Sequence, residues 1–326
     1  ILISEGLLVV YLALASVVAI TVLKRWDPAS ATETQLSLER RTYLISTVMA
    51  FVMGINLLDL FLFVYTVDDL HKLFVGAMCA TGTLNANPVG WKALVLKTAL
   101  WFISALWLII NHLDQKTETF PLVRTKYALL LVISPLYVLD LVLTWLYFKG
   151  LDPSVITSCC GALFSESGTK LTSTLSTLPP YETMVVFFVC TGLLTVGFVL
   201  NLKWKTSSLR YGLSVMGLLY LLVSIASVVA FISVYYYELP THHCPFDILQ
   251  REYHFVGYPL YGSLFIGTLC AMATGLTEFF RKKQGIETTL PKLQKKLLLT
   301  GLSALMVFLA FVVYPMLFSE FSLFGY

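Results

Sequence analysis

Charged residues are scarce in this sequence. They make up 13% of the 326 residues, whereas a soluble domain carries about 25%. Hydrophobic residues make up 57%, which is above the usual proportion in soluble proteins. This composition excludes a soluble globular enzyme, a disordered chain and a coiled coil, and it leaves a polytopic membrane protein.

Several familiar motifs are missing as well. The sequence has no Walker A loop and no dinucleotide-binding fingerprint. It also lacks a Cys-x-x-Cys-His segment, so no covalent c-type haem is expected. No Asn-x-Ser/Thr sequon occurs, and we interpret the outer compartment as a bacterial periplasm. The expected location is therefore the bacterial cytoplasmic (inner) membrane, with no nucleic-acid partner.

Long apolar segments account for most of the chain. A membrane-spanning helix needs roughly 20 mostly apolar residues, and the segments are too continuous for barrel strands. Eight segments qualify: 6–23, 43–66, 93–112, 127–148, 183–202, 211–237, 258–280 and 297–318. The sequence therefore predicts an all-α integral membrane protein, a bundle of eight transmembrane helices in a single polytopic domain over residues 1–326.

Basic residues are concentrated in one set of connections. Segments 24–42, 113–126, 203–210 and 281–296 hold 16 of the 22 basic residues. Loops rich in lysine and arginine stay on the cytoplasmic side of a membrane. Both termini and the three longer loops, 67–92, 149–182 and 238–257, are therefore predicted to lie outside.

Two of the outward hairpins share a regular spacing. Asp59 and Asp140 are 81 residues apart, and each is followed 20 residues later by a cysteine, Cys79 or Cys160. Cys244 lies another 84 residues along the chain. A fixed period is typical of repeated supersecondary units, so we expect a helical-hairpin repeat of about 81–84 residues. The alternative is a chance match between leucine-rich helices.

Cysteine and histidine residues cluster in the predicted outer loops. The outer set consists of Cys79, Cys159, Cys160, Cys244, His71, His242, His243 and His254. These residue types suit three arrangements. They could form two structural disulfides, a reactive thiol–disulfide site, or a zinc or copper site with ligands drawn from Cys244 and the four histidines.

The segment His242-His243-Cys244-Pro245-Phe246-Asp247 is the strongest local signal. A protonated imidazole beside a cysteine favours the reactive thiolate form. The Cys-Pro-Phe start resembles the Cys-x-x-Cys centre of thiol oxidoreductases, although Asp247 occupies the second cysteine position. A resolving cysteine would have to come from another loop, as Cys79, Cys159 or Cys160.

Ionisable residues also occur within the predicted spans, where they are energetically costly and often functional. Asp59, Asp140 and Lys97 all lie in the outer third of their spans. We expect Lys97 to contact Asp59 or Asp140. The three residues would form either a proton relay or quinone-head site, or a structural salt bridge that fixes helix packing.

Small residues recur in the seventh span. Gly267, Ala271 and Gly275 are spaced four residues apart, which places them on one face of a helix. Such a stripe allows another helix to approach closely. We therefore expect a helix-packing surface here.

The leading functional hypothesis is a periplasm-facing membrane protein for thiol–disulfide redox chemistry or transition-metal handling. Copper, zinc or a quinone would be the cofactor. The first alternative is a non-catalytic membrane subunit or permease of a larger complex, with structural disulfides. A solute transporter is the third hypothesis, and only the repeat supports it. The expected partners are the lipid bilayer and other membrane or periplasmic subunits, and no enzyme class is assigned.

Overall fold

The computed structural model describes residues 1–27, 30, 32–117, 119–157 and 178–323. Within these ranges the regular elements are helices and no strand occurs. Among the described residues, eight helices are long and apolar enough to cross a membrane, which confirms the predicted all-helical fold with eight candidate spans. They are α1 (Leu2–Arg25), α2 (Glu33–Asp69), α3 (Gly90–Gln115), α4 (Val123–Lys149), α5 (Pro180–Lys203), α6 (Ser207–Ser227), α7 (Gly257–Glu278) and α8 (Thr289–Phe318).

Two helices begin well before the apolar segments that predicted them. The segment 43–66 corresponds to α2, Glu33–Asp69, and the segment 297–318 corresponds to α8, Thr289–Phe318. Hydropathy marks only the apolar part of a helix. The backbone hydrogen bonds of each helix continue through a polar first stretch that contains Arg40 and Arg41 in α2 and Lys292 in α8.

The C-terminal end of α6 departs from regular α-helical geometry. A π-helical segment, Val228–Ile232, follows α6, and a last α-helical turn, Ser233–Tyr237, follows that. Together they form one continuous helical rod, Ser207–Tyr237, called the α6 rod below. A π turn widens the hydrogen-bonding pattern from i→i−4 to i→i−5, so carbonyl groups near it become available to other donors. The Val229 carbonyl is one of these, as described below.

The chain divides into two compact units. Unit 1 comprises Ile1–Val67, Thr83–Val155 and Phe280–Pro291. Unit 2 comprises Asp68–Gly82, Ile156–Phe279 and Lys292–Tyr326. The segment Asp68–Gly82, from the first predicted outer loop, thus belongs to the unit that holds the third one, 238–257.

In unit 1, one face of α1 is buried and the opposite face is exposed. Leu8, Leu12 and Ala15 lie in the core and are spaced three or four residues apart, whereas Leu14 and Val17 are exposed. This spacing places the buried side chains along one stripe of the helix. Because lipid is as apolar as leucine, the stripe is held by close packing against its neighbours rather than by exclusion of water.

In unit 2, the small-residue stripe of α7 packs against α6 and α8. A Cβ atom added at Gly275 would lie 2.4 Å from Ser214 Cβ in α6. Ala271 packs against Gly217 of α6, where an added Cβ would be 2.6 Å from Ala271 Cβ. Gly267 faces α8 at Leu305. The predicted packing surface therefore exists and serves two neighbouring helices.

The orientation of the chain in the membrane remains a prediction, and cysteine accessibility can test it. Ser154 lies in a predicted outer loop and Lys282 in a predicted inner loop, and both are exposed. A maleimide that cannot cross membranes should label Ser154→Cys in spheroplasts and should label Lys282→Cys only after the membrane is permeabilised. The charge distribution gives this expectation. The reverse pattern would overturn the predicted orientation.

Candidate functional site

The candidate site is a pair of cysteines from two different loops, both of which are predicted to lie outside. Cys79 precedes the short helix Ala80–Asn85, and Cys244 lies between the end of the α6 rod and α7. Their Sγ atoms are 3.1 Å apart. That distance exceeds the 2.03–2.05 Å bond of a disulfide, so the two sulfurs are in contact but not bonded. Both are buried, with 0% of Cys79 and 7% of Cys244 exposed.

Hydrogen bonds across the two segments hold the cysteines together. The Asp68 carboxylate, at the end of α2, accepts hydrogen bonds from the Ala80 backbone N–H at 2.9 Å and from Gln250 Nε2 at 3.2 Å. Gln250 Nε2 also donates to the carbonyl oxygen of Met78 at 3.0 Å. These contacts bracket Cys79 on both sides and fix it against the loop that carries Cys244.

Asp247 completes the site. One ligand atom from each of Cys79, Cys244 and Asp247 lies within 4.8 Å of the other two. Cys244 Sγ donates to Asp247 Oδ1 at 3.2 Å, and His242 Nε2 lies 2.5 Å from Asp247 Oδ2. Burial opposes ionisation of this carboxyl group, but hydrogen bonds from His242, Cys79 and Cys244 outweigh it and lower the pKa of Asp247. An ionised carboxylate therefore accepts hydrogen bonds from the thiols.

Tyr237, the last residue of the α6 rod, braces the loop that carries Cys244. Its hydroxyl donates to the Cys244 carbonyl oxygen at 2.5 Å and accepts from the Ile248 backbone N–H at 3.0 Å. Its ring also meets the His242 ring edge-on, with centroids 4.5 Å apart. The buried tyrosine thus fixes both the backbone at Cys244 and the orientation of the imidazole.

The other predicted ligands lie elsewhere or outside the described residues. His243 Nδ1 contacts the Val229 carbonyl oxygen of the π segment at 2.9 Å. His71 Nδ1 contacts the carbonyl oxygen of Asp68, in its own turn. The structure thus brings Cys79, Cys244 and Asp247 together with His242 beside them, and it leaves His71, His243 and His254 out of that group. Cys159 and Cys160 belong to the segment 158–177, which is not described.

An aromatic cavity of about 500 Å³ lies near the thiol pair within unit 2. Its lining residues are Tyr236, Glu252, Tyr253, His254, Val256, Ala310, Phe311 and Tyr314. The Tyr253 ring lies edge-on to the Tyr237 ring, with centroids 4.8 Å apart. One tyrosine therefore separates the cavity wall from the loop that carries Cys244. The cavity also accounts for the position of the predicted ligand His254.

The predicted ion pair within the spans is present in unit 1. Lys97 Nζ lies 2.8 Å from Asp140 Oδ2, which confirms the expected contact with an acid. Lys97 Nζ also lies 2.5 Å from Glu5 Oε1. Asp59 accepts hydrogen bonds from Ser4 Oγ and Asn56 Nδ2, each at 3.0 Å. Sequence reasoning missed Glu5 because this residue lies just before the first predicted span, 6–23, although the helix itself begins at Leu2.

Comparison with protein-family models, with curated proteins and with solved structures gives no match to this chain.

Proposed function

We propose that this multi-pass membrane protein carries out two-electron thiol–disulfide chemistry at Cys79 and Cys244, on the periplasmic side of the inner membrane. The observation that carries the proposal is the 3.1 Å separation of two buried sulfurs from different loops, beside a carboxylate. Closing that gap to a disulfide bond requires a sulfur movement of only about 1 Å. This chemistry needs only the two sulfurs and a proton acceptor, and all three groups are in place.

The residues around the thiol pair can accept the protons that its oxidation releases. Forming the bond between Cys79 and Cys244 releases two protons and two electrons. Asp247 accepts the hydrogen bond from the Cys244 thiol and is placed to receive its proton. His242, on the other side of the carboxylate, has 18% of its side chain exposed and can pass a proton towards solvent.

The electron acceptor that fits this site is a membrane quinone. Both sulfurs are buried, which disfavours direct exchange with the disulfide of a partner protein. The neighbouring cavity is lined mainly by aromatic and apolar side chains and has the volume of a small-molecule site. A quinone bound there would take the two electrons across the adjacent Tyr237 and Tyr253 rings and would take two protons from solvent, and it would become a quinol while the S–S bond forms.

The test is oxidation of the purified, reduced full-length protein by a short-chain quinone, followed by peptide mapping. We expect a peptide linked through Cys79 and Cys244, with quinol formed in equal amount. Cys79→Ser and Cys244→Ser should each abolish both products, whereas Cys270→Ser, a buried cysteine of α7, should not. Asp247→Asn should slow the reaction at least about tenfold, because the proton acceptor is lost.

Three results would count against the proposal. Linkage of Cys79 or Cys244 to other cysteines, with no bond between the two, would overturn the assigned pair. Linkage that forms with a dithiol–disulfide buffer but not with quinone would overturn the proposed acceptor. A linkage that mild thiols cannot reduce would make the pair structural, as the alternative of a membrane subunit with structural disulfides requires.

A soft-metal site is the second candidate, because Cys79, Cys244 and Asp247 offer two sulfurs and one oxygen to a common centre. Thiolate ligands favour Cu(I) or Zn²⁺, and His242 would orient the carboxylate ligand from behind. Metal analysis of the reduced protein after exposure to each ion would decide. One bound ion per chain, lost in Cys244→Ser, would favour this candidate over redox exchange.

A further inference from the structure

The carboxyl groups around Lys97 in unit 1 outnumber its single positive charge. Glu5 from α1 and Asp140 from α4 both contact Lys97 Nζ, at 2.5 and 2.8 Å. The three side chains are buried, with at most 5% of each residue exposed. If both acids were ionised, this contact group would carry a net negative charge inside a transmembrane bundle.

A third acid adds to this imbalance. Asp59 from α2 is 4% exposed and accepts a hydrogen bond from Ser4, the residue next to Glu5 in α1. Its second oxygen accepts from Asn56 Nδ2. Neither of these neutral donors supplies a positive charge.

The hydrogen bonds separate Asp59 from the two acids that face Lys97. Both oxygens of Asp59 have donors, whereas Glu5 Oε2 and Asp140 Oδ1 are buried without a hydrogen-bond partner among the described residues. An ionised carboxylate keeps both oxygens as acceptors, and a buried charge without compensation tends to be neutralised instead. The two oxygens without a hydrogen-bond donor therefore indicate that a positively charged species would bind at Glu5 and Asp140.

A proton fits this place better than a metal ion does. A sodium, magnesium or calcium ion would need several further oxygen ligands and would lie beside the Lys97 ammonium group, which repels it. A proton needs one carboxyl oxygen and no coordination shell. We propose that Glu5 and Asp140 form an intramembrane proton-binding site, in which one of the two carboxyls is protonated and Lys97 balances the other.

This site is independent of the thiol chemistry and can be tested by infrared spectroscopy of the full-length protein in lipid nanodiscs. A protonated carboxylic acid shows a C=O stretching band that shifts on transfer to D₂O, whereas a carboxylate does not. At pH 7 we expect this band in the wild-type protein and its loss in the double variant Glu5→Gln/Asp140→Asn. Asp247→Asn is the control and should leave the band unchanged, because the hydrogen bonds to Asp247 favour its ionised form.

Two further measurements keep the test decisive if a variant does not fold. Wild-type protein with ¹³C-labelled glutamate or with ¹³C-labelled aspartate should show which side chain carries the proton, without any substitution. Lys97→Met should increase the band about twofold, because the carboxyl group that the ammonium balanced must then take up a proton as well.

Absence of the band at pH 7 would overturn the proposal. A band that persists in the double variant and disappears in Asp59→Asn would assign the proton to Asp59 and would also overturn it. A band lost in the double variant, with a label shift in glutamate or aspartate, would support the site as described.

Discussion

Replacement of Lys97 by methionine should destabilise the protein by about 3–5 kcal/mol, the usual loss when one partner of a buried ion pair is removed. Methionine fills a similar volume but leaves Glu5 and Asp140 without the ammonium that both contact. The cost is therefore electrostatic rather than a cavity. The free energy of unfolding from SDS titration of the purified protein is the measurement.

Two matched variants give this expectation its control. Lys92→Met, near the start of the same helix, removes an exposed lysine and should change stability by no more than about 0.5 kcal/mol. Adding Glu5→Gln and Asp140→Asn to Lys97→Met should recover much of the loss, because no buried charge is then left without a partner. Equal losses for Lys92→Met and Lys97→Met would show that the contacts around Lys97 contribute nothing.

Replacement of Gly275 by alanine should destabilise the packing of α7 against α6. The added Cβ would lie 2.4 Å from Ser214 Cβ and 2.9 Å from the Arg210 carbonyl oxygen. That oxygen belongs to the backbone and cannot move away by a change of side-chain rotamer. Overpacking of this kind typically costs about 1–3 kcal/mol. The displaced backbone also carries Arg210, whose guanidinium forms a buried ion pair with Glu278 at 2.5 Å.

Gly262 provides the control for this prediction. It lies in the same helix, and a Cβ atom added there would meet nothing within 4 Å. Gly262→Ala should therefore be neutral or stabilising by up to about 1 kcal/mol, since alanine is the better helix former. Thermal unfolding of both variants, followed by circular dichroism, separates the effects. A loss of stability at Gly262 as large as that at Gly275 would contradict the packing argument.

The helices could be predicted from the sequence because hydropathy is a local property. Each of the eight apolar segments has enough length and composition to define its own helix. The uneven distribution of basic residues is also a local property, and it gives the predicted orientation. Two of the basic residues counted for it nevertheless form buried ion pairs. Lys126 contacts Asp114 at 2.8 Å and Arg210 contacts Glu278, and both pairs are buried near the predicted inner ends of their helices.

The pairing of side chains was only partly predictable, because it depends on how distant segments pack. Lys97 was expected to meet Asp59 or Asp140 from their shared depth, but its contact with Glu5 spans 92 positions and left no local signal. Cys79 was one of three candidates for a partner of Cys244. What holds Cys79 beside Cys244 is the set of hydrogen bonds that Asp68 accepts from Ala80 and Gln250, which form only in the folded loops.

The same limit applies to the residues around Cys244. Adjacent histidines look equivalent in the sequence, yet His242 contacts Asp247 and His243 contacts the carbonyl of Val229. In the sequence, Asp247 stands out only because it occupies the second cysteine position of a Cys-x-x-Cys spacing. That spacing is the one sequence signal that could have identified the carboxylate as part of the site.

The π segment lets one helix present two differently organised surfaces. Up to Ser227, most buried residues of α6 recur every three or four positions, as in a helix that buries one stripe against its neighbours. One extra residue in a turn offsets everything beyond it by about 100° around the axis. Beyond the offset almost every residue up to Tyr237 is buried, so the tip of α6 is enclosed by its surroundings. In a helix of uniform pitch, the buried stripe would continue along one face up to Tyr237. Such a helix could not enclose its whole last part and so could not place Tyr236 at the cavity and Tyr237 under Cys244 in the same way.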